Sequence, residues 1–320
     1  MYNWLKTKYY NLIRRFYIRR FNVQLANTIS YKLDESELLT ISVLTSHNSI
    51  NMALATLKSL YRFLSIKYPL EIHDDGSLTA SDIKLLETSF LGVKIIVRQE
   101  ADRIINEYYL QNNFSNLKKF REKANVNLQS TDLAFFCKTR YCLQVDTDIL
   151  FFNNPYFLEP DFIEQLIKNG SVNSFYNVDR GPAYSYSSED MERYLNKSIP
   201  YQFNAGLVLF PNKKIVFKYL EEILSHGLIS KNNWTQSQTV QCMALQKLGD
   251  CFPMLDTVDV SYRMHTQHPT FDANLYSSLV AEHYCAWARN LYYLDYIEKV
   301  HPFVKVHSGY REYFYNLINH

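Results

Sequence analysis

The chain has 320 residues, 47% hydrophobic and 21% charged, with a formal net charge of +2. Those values are ordinary for a globular protein and allow one large domain or two small ones around a sizeable core. Five cysteines without a C-x-x-C spacing argue against a disulfide framework or a zinc site, and for buried free thiols in a reducing compartment.

The charge is unevenly placed. Residues 1–33 hold Lys6, Lys8, Arg14, Arg15, Arg19, Arg20 and Lys32 and no acid, so they carry +7 against a whole-chain +2, which leaves −5 for the rest. Tyr2, Trp4, Tyr9, Tyr10, Phe16, Tyr17 and Phe21 alternate with those cations. Such a segment suits the interface of an anionic membrane, or a helix packed on the body with a solvated basic face. It is too charged for a signal peptide, and its apolar run is too short for a membrane span, so the expected location is cytoplasmic, possibly peripheral at the inner face of the membrane. An acidic body without a recognition motif makes nucleic acid a poor partner. With 26 Tyr and 20 Phe, aromatic residues are abundant, and they serve either as core or as stacking platforms for sugars.

After the leader (1–35), residues 38–45 read as a buried strand and 49–68 as a helix, with Met52, Leu54, Leu57, Leu60, Tyr61 and Leu64 at helical spacing. Pro69 ends that helix, residues 70–73 form a second strand, a helix starts near Thr79 or Ser81, and 93–97 form a third strand. This alternation predicts a parallel α/β sheet. Residues 101–138 read as mostly helical. Residues 143–150, Leu-Gln-Val-Asp-Thr-Asp-Ile-Leu, read as a buried strand carrying Asp146 and Asp148. Strands at 172–177 and 203–210, helices at 213–225, 234–248 and 289–299, and a closing strand at 303–306 complete the expectation of a single domain over 36–320.

The acidic pair is the most informative feature. Unpaired buried carboxylates cost several kcal/mol, so Asp146 and Asp148 belong at a strand end beside a cation. A divalent ion held by carboxylates and by phosphate oxygens is a common grip on a nucleotide diphosphate. Thr45, Ser46 and His47 follow the first strand, where a doubly wound sheet opens at its carboxyl edge, and are candidates for base and ribose. Asp74 and Asp75 follow the second strand, either as ribose contacts or as a plain turn with Gly76. Lys138 and Arg140 precede the acidic strand as candidate phosphate contacts. Asn204 is an amide within an apolar strand and needs partners.

The acidic pair, Phe203-Asn204-Ala205-Gly206 and the late His307-Ser308-Gly309 occur in an order that resembles GT-A-type nucleotide-sugar glycosyltransferases. The glycogenin-like and galactosyltransferase-like retaining families are most similar, and His73-Asp74-Asp75-Gly76-Ser77-Leu78-Thr79 looks like a run in uncharacterised bacterial members. The resemblance spans about residues 38–310. It departs from the family pattern at His-Ser-Gly, where H-x-x-G is expected, and at Thr235-Gln236-Ser237-Gln238, where D-Q-D often stands.

The resemblance implies a GT-A (Rossmann-like) α/β fold with a mixed, mostly parallel sheet flanked by helices. It implies a hexosyltransferase-like enzyme using Mn²⁺ or Mg²⁺ and a UDP- or GDP-sugar, with a glycan or lipid-linked acceptor in surface polysaccharide assembly. Asp146, Asp148 and His307 would hold the metal. Thr147, Ala205, Gly206 and Gly309 would join Thr45, Ser46, His47, Asp74, Asp75, Lys138 and Asp146 around the nucleotide-sugar. Asn204, Gln238 and Asp179 are the catalytic candidates, with Gln236 a further sugar contact. An inverting reaction would need a base from Asp179, Asp256 or Glu282; a retaining one could use the leaving phosphate. Two other readings compete. A nucleotidyltransferase would normally show a Gly-rich basic loop after the first strand, where this chain has Thr-Ser-His-Asn-Ser. A carbohydrate-binding scaffold would not need the acidic pair intact.

Overall fold

A computed structural model describes residues 15–179, 183–226, 235–259, 279–285 and 289–304. Among them the dominant element is a nine-stranded sheet. Its strands are β2 (Leu39–Thr45), β3 (Leu70–Asp74), β5 (Lys94–Ile96), β6 (Tyr141–Val145), β7 (Ile149–Phe151), β8 (Ser174–Val178), β9 (Phe203–Pro211), β10 (Cys251–Asp259) and β11 (Ala281–His283). They lie in the order β5-β3-β2-β6-β9-β8-β10-β11-β7; β1 (Tyr31–Lys32) and β4 (Phe90–Leu91) pair separately. The first half is parallel, β9 runs antiparallel to β6 and β8, and β7 runs antiparallel to β11. The mixed, mostly parallel α/β sheet is thus as expected.

The chain winds outward from β2 to β3 and β5, then returns to lay β6 on the other side of β2. That reversal opens a crevice at the carboxyl ends of β2 and β6, the place where open α/β sheets bind ligands. Side-chain alternation builds a core on each face of the sheet. Leu39, Ile41, Val43, Leu143, Val145, Leu207 and Leu209 point into one, with the Ile50–Tyr61 helix over them. Cys142, Val208 and Phe210 point into the other, beneath the Ile215–Ser225 and Thr235–Leu248 helices. Truncating a fully buried leucine such as Leu143 would cost about 2–5 kcal/mol.

Residues 15–26 are helical, and their Phe21 and Leu25 enter the first core. Phe21 meets the rings of Tyr292, Tyr293 and Tyr296 edge-on. Arg15, Phe16, Arg19 and Val23 remain exposed. No helix among the described residues is long and apolar enough to cross a membrane.

Two expected strands are corrected. Residues 143–150 do not form one strand: the chain leaves the sheet at Asp146 and re-enters as β7 at the far edge. Both halves are buried, so apolar content alone could not show the break. The closing strand at 303–306 is also absent in its described part, because His301–Val304 is helical. Tyr292, Tyr296, Val300 and Val304 are all fully buried, and their spacing of four marks one helical face.

Candidate active site

The Asp146–Asp148 loop is held from below by the Ile50–Tyr61 helix. Thr56 Oγ1 donates to the Thr147 carbonyl at 2.7 Å, and Ser59 Oγ accepts from the Phe151 amide at 3.0 Å. From the other side, the Asp146 amide donates to the Gly206 carbonyl at 2.7 Å and the Tyr284 amide to the Asp148 carbonyl at 2.8 Å. Three separate elements therefore fix the backbone that carries the two carboxylates at the carboxyl edge of the sheet.

The third member is His283, the last residue of β11. Its Nε2 lies 3.1 Å from Asp148 Oδ1 and 3.5 Å from Asp146 Oδ2. Ligand atoms of Asp146, Asp148 and His283 all fall within 4.8 Å of one another. Asp148 and His283 are buried, while Asp146 is part-exposed towards the crevice. Burial by itself lowers the imidazole pKa, but the Cys285 thiol and the Asp148 carboxylate outweigh it and raise the value well above the ordinary one. Cys285 Sγ stands 3.4 Å from each ring nitrogen. The field between these groups favours positive charge.

Gly206 lies against that ring. A Cβ there would come within 2.4 Å of His283 Cε1 and 2.6 Å of Nδ1, so only glycine leaves the imidazole its place. The donor set fits a divalent cation: two carboxylates and one imidazole, converging on one point. Its nitrogen suits Mn²⁺ better than Mg²⁺.

β9 breaks its register beside the site. Tyr176 pairs with Val208, but Asn177 pairs with Asn204, so residues 205–207 bulge away from β8. Side chains replace the lost ladder bonds. Gln238 Oε1 accepts from the Ala205 amide at 3.1 Å, and Gln144 Nε2 donates to the Ala205 carbonyl at 2.5 Å. Gln241 Nε2 in turn donates to Gln144 Oε1 at 2.8 Å. Gln238 spends its other end on the Ala183 carbonyl at 3.0 Å. Asn204 Nδ2 donates to Asp179 Oδ2 at 3.2 Å, which joins two of the three catalytic candidates. Gln129, on the short Leu128–Thr131 helix, donates through Nε2 to Asp146 Oδ1.

The remaining sequence candidates divide. Thr45 ends β2 and pairs with Asp74 at the end of β3, on the crevice side. Thr45 Oγ1 and Ser46 Oγ lie 3.1 and 2.9 Å from Ser49 Oγ. His47 Nδ1 meets Asp82 Oδ2 at 2.7 Å, and its amide donates to Ser77 Oγ at 2.9 Å. Asp74 Oδ1 accepts from the amides of Gly76 (2.8 Å) and Leu78 (3.0 Å), and Asp75 Oδ1 from that of Ser77 (3.0 Å). Those carboxylates close a turn in which Gly76 has φ +102°. Gln236 is buried in the Thr235–Leu248 helix, and no described group satisfies its Nε2.

Lys138 and Arg140 are corrected: both are exposed at the amino end of β6, across its five residues from Asp146. At about 3.3 Å per residue, that strand sets them roughly 17 Å away. Glu282 is corrected as well, because it alternates to the face opposite His283 and accepts from the Tyr284 hydroxyl at 2.9 Å. His307, Gly309, Trp234, Trp287 and the side chain of Asp256 lie outside the described residues.

His283 and Gln129 were not among the sequence candidates. For His283 a signal existed, since His283-Tyr284-Cys285-Ala286 keeps the H-x-x spacing with alanine where glycine was sought. For Gln129 none did.

No protein-family model matches the chain, and no curated protein matches it in sequence. Solved structures do match. The galactosyltransferase LgtC, in complex with donor and acceptor sugar analogs, is 12% identical over 84% of this chain and 98% of its own, with a TM-score of 0.51. An active-site mutant of LgtC is 13% identical over 81% and 95%, with a TM-score of 0.50. Core-mannan synthase A from Aspergillus fumigatus, in a Mn/GDP form, is 12% identical over 71% and 76%, with a TM-score of 0.45. The strand order, the crevice and the likeness to LgtC together show that this chain has the GT-A glycosyltransferase fold.

Proposed function

We propose that the protein is a divalent-metal-dependent glycosyltransferase that moves a sugar from a UDP- or GDP-sugar to a glycan or lipid-linked acceptor in surface polysaccharide assembly. One observation carries this reading. Asp146, Asp148 and His283 converge at the carboxyl edge of a GT-A sheet, at its topological switch point, with an excess of negative charge that calls for a cation. Mn²⁺ bound there would neutralise the departing diphosphate. Thr45, Ser46 and His47 would border the nucleoside side of the crevice, with Thr147 beside the cation. The β9 bulge at Ala205–Gly206 would floor the sugar pocket, with Gln238 fixing its backbone.

The base is best supplied by the donor itself. Of the described base candidates, Asp179 is engaged by the Asn204 amide and Glu282 is turned away; on this reading the leaving phosphate oxygen would take the acceptor hydroxyl's proton, with retention at the sugar carbon. The exposed Arg15, Phe16, Arg19 and Val23 would rest on anionic lipid next to a lipid-linked acceptor.

Calorimetry with UDP and with GDP, each with and without Mn²⁺, tests the reading. Metal-dependent binding of one nucleotide, lost in Asp148→Ala, is the expected result and names the donor base. A folded wild type that binds neither would overturn it and favour a scaffold.

A further inference from the structure

Asn204 is a catalytic candidate by sequence, and its contacts point towards the metal ligand. Its Oδ1 lies 2.8 Å from the Gly206 amide nitrogen and 3.0 Å from His283 Nδ1, and its Nδ2 donates to Asp179 Oδ2 at 3.2 Å. A backbone N–H can only donate, and a carboxylate without a proton can only accept. Asn204 is therefore oriented at both ends: oxygen towards Gly206, nitrogen towards Asp179. The same oxygen faces the ring, so His283 Nδ1 must carry the hydrogen of that bond. Nε2 is then the nitrogen left for a cation, and it is the one facing Asp148 and Asp146.

We propose that Asn204, held by Asp179, is a positioning residue that fixes the tautomer and ring orientation of His283 for metal binding. The inference rests on the metal site described above and gives Asn204 a role independent of any sugar contact. Partners of this kind in known metal sites are worth about tenfold to a hundredfold in metal affinity. Three features leave the ring a single pose: Gly206 beneath it, Asn204 at Nδ1 and the carboxylates at Nε2.

The test uses Mn²⁺ alone, without nucleotide or sugar, on the full chain. Mn²⁺ affinity is read by electron paramagnetic resonance, and imidazole coordination by spin-echo modulation from the bound nitrogen. Asn204→Ala should weaken Mn²⁺ by about tenfold to a hundredfold and reduce the nitrogen modulation. The exchange Asn204→Asp/Asp179→Asn preserves an acceptor for both His283 and Gly206 and a donor between the pair. It should bind Mn²⁺ more tightly than either single variant and recover most of the wild-type affinity. If thermal melting shows Asn204→Ala unfolded, Asp179→Ala replaces it, since the freed amide can then flip and affinity should drop severalfold. Wild-type affinity and modulation in the folded single variant would overturn the proposal and leave the metal site standing. A wild type that binds no Mn²⁺ would remove both.

Discussion

Two charge clusters built around buried side chains have opposite designs in this fold. In the first, Arg121 is 1% exposed and forks onto Asp132 at 2.7 and 2.6 Å, with a further bond to Asp102 at 2.5 Å. Arg98 completes it, reaching Asp102 Oδ1 at 2.7 Å. Two guanidinium groups face two carboxylates, and the set is neutral within itself. In the second, Asp146 and Asp148 face an imidazole whose Nδ1 is turned to Asn204, and neutrality requires something more. Buried charge alone therefore does not mark a binding site. A cluster that balances its own charge holds helices together, whereas one that does not calls for a ligand.

The largest expected effect breaks the first cluster. Arg121→Met should destabilise the protein by about 3–5 kcal/mol, because it leaves the Asp132 carboxylate buried without a counter-charge, with only the Thr131 hydroxyl beside it. Calorimetric melting measures that loss, while Mn²⁺ affinity below the transition should stay at its wild-type value. A parallel loss of Mn²⁺ binding would show that the clusters are coupled.

Gly206→Ala attacks the second cluster sterically. Its new methyl group must push His283 aside, so stability should fall by about 1–3 kcal/mol. Mn²⁺ should weaken by about tenfold in the same variant. Retained affinity would mean that the ring has room that its contacts do not suggest.

The smallest effect is one of pH. Burial raises the Asp102 carboxyl pKa, but the bonds from Arg121 and Arg98 outweigh it and hold the value below the ordinary carboxylate range. The stability this gives is complete above about pH 4, the unfolded value, and fades as pH falls through the lower folded one. The stability gap between wild type and Arg121→Met should therefore narrow as acid is added below about pH 4. A gap that widens there would contradict the ion-pair reading.

The same contrast explains what could be read from sequence. β2, β3 and β9 stand out as apolar runs, and Asp148 stands out because an acid inside such a run demands a reason. The break within residues 143–150 leaves no mark in the sequence, because residues buried on both faces carry no alternation to show where a chain leaves the sheet. His283 escaped because β11 is only three residues long and its metal-facing neighbour in space, Gly206, lies far away in sequence. The amide at Asn204 could be recognised as needing partners, but the partners come from two other strand ends. Lys138 looked close to the phosphates because sequence proximity does not show which end of a strand faces the crevice.

The central claim is that Asp146, Asp148 and His283 form a divalent-cation centre. Anomalous diffraction from crystals of the protein grown with Mn²⁺ and UDP or GDP tests it most directly. The account predicts one strong Mn peak roughly 2.0–2.3 Å from a carboxylate oxygen of Asp148 and from His283 Nε2, with diphosphate oxygens on its open side. Nucleotide bound in the crevice with no Mn peak at these residues, or with the peak elsewhere, would contradict it.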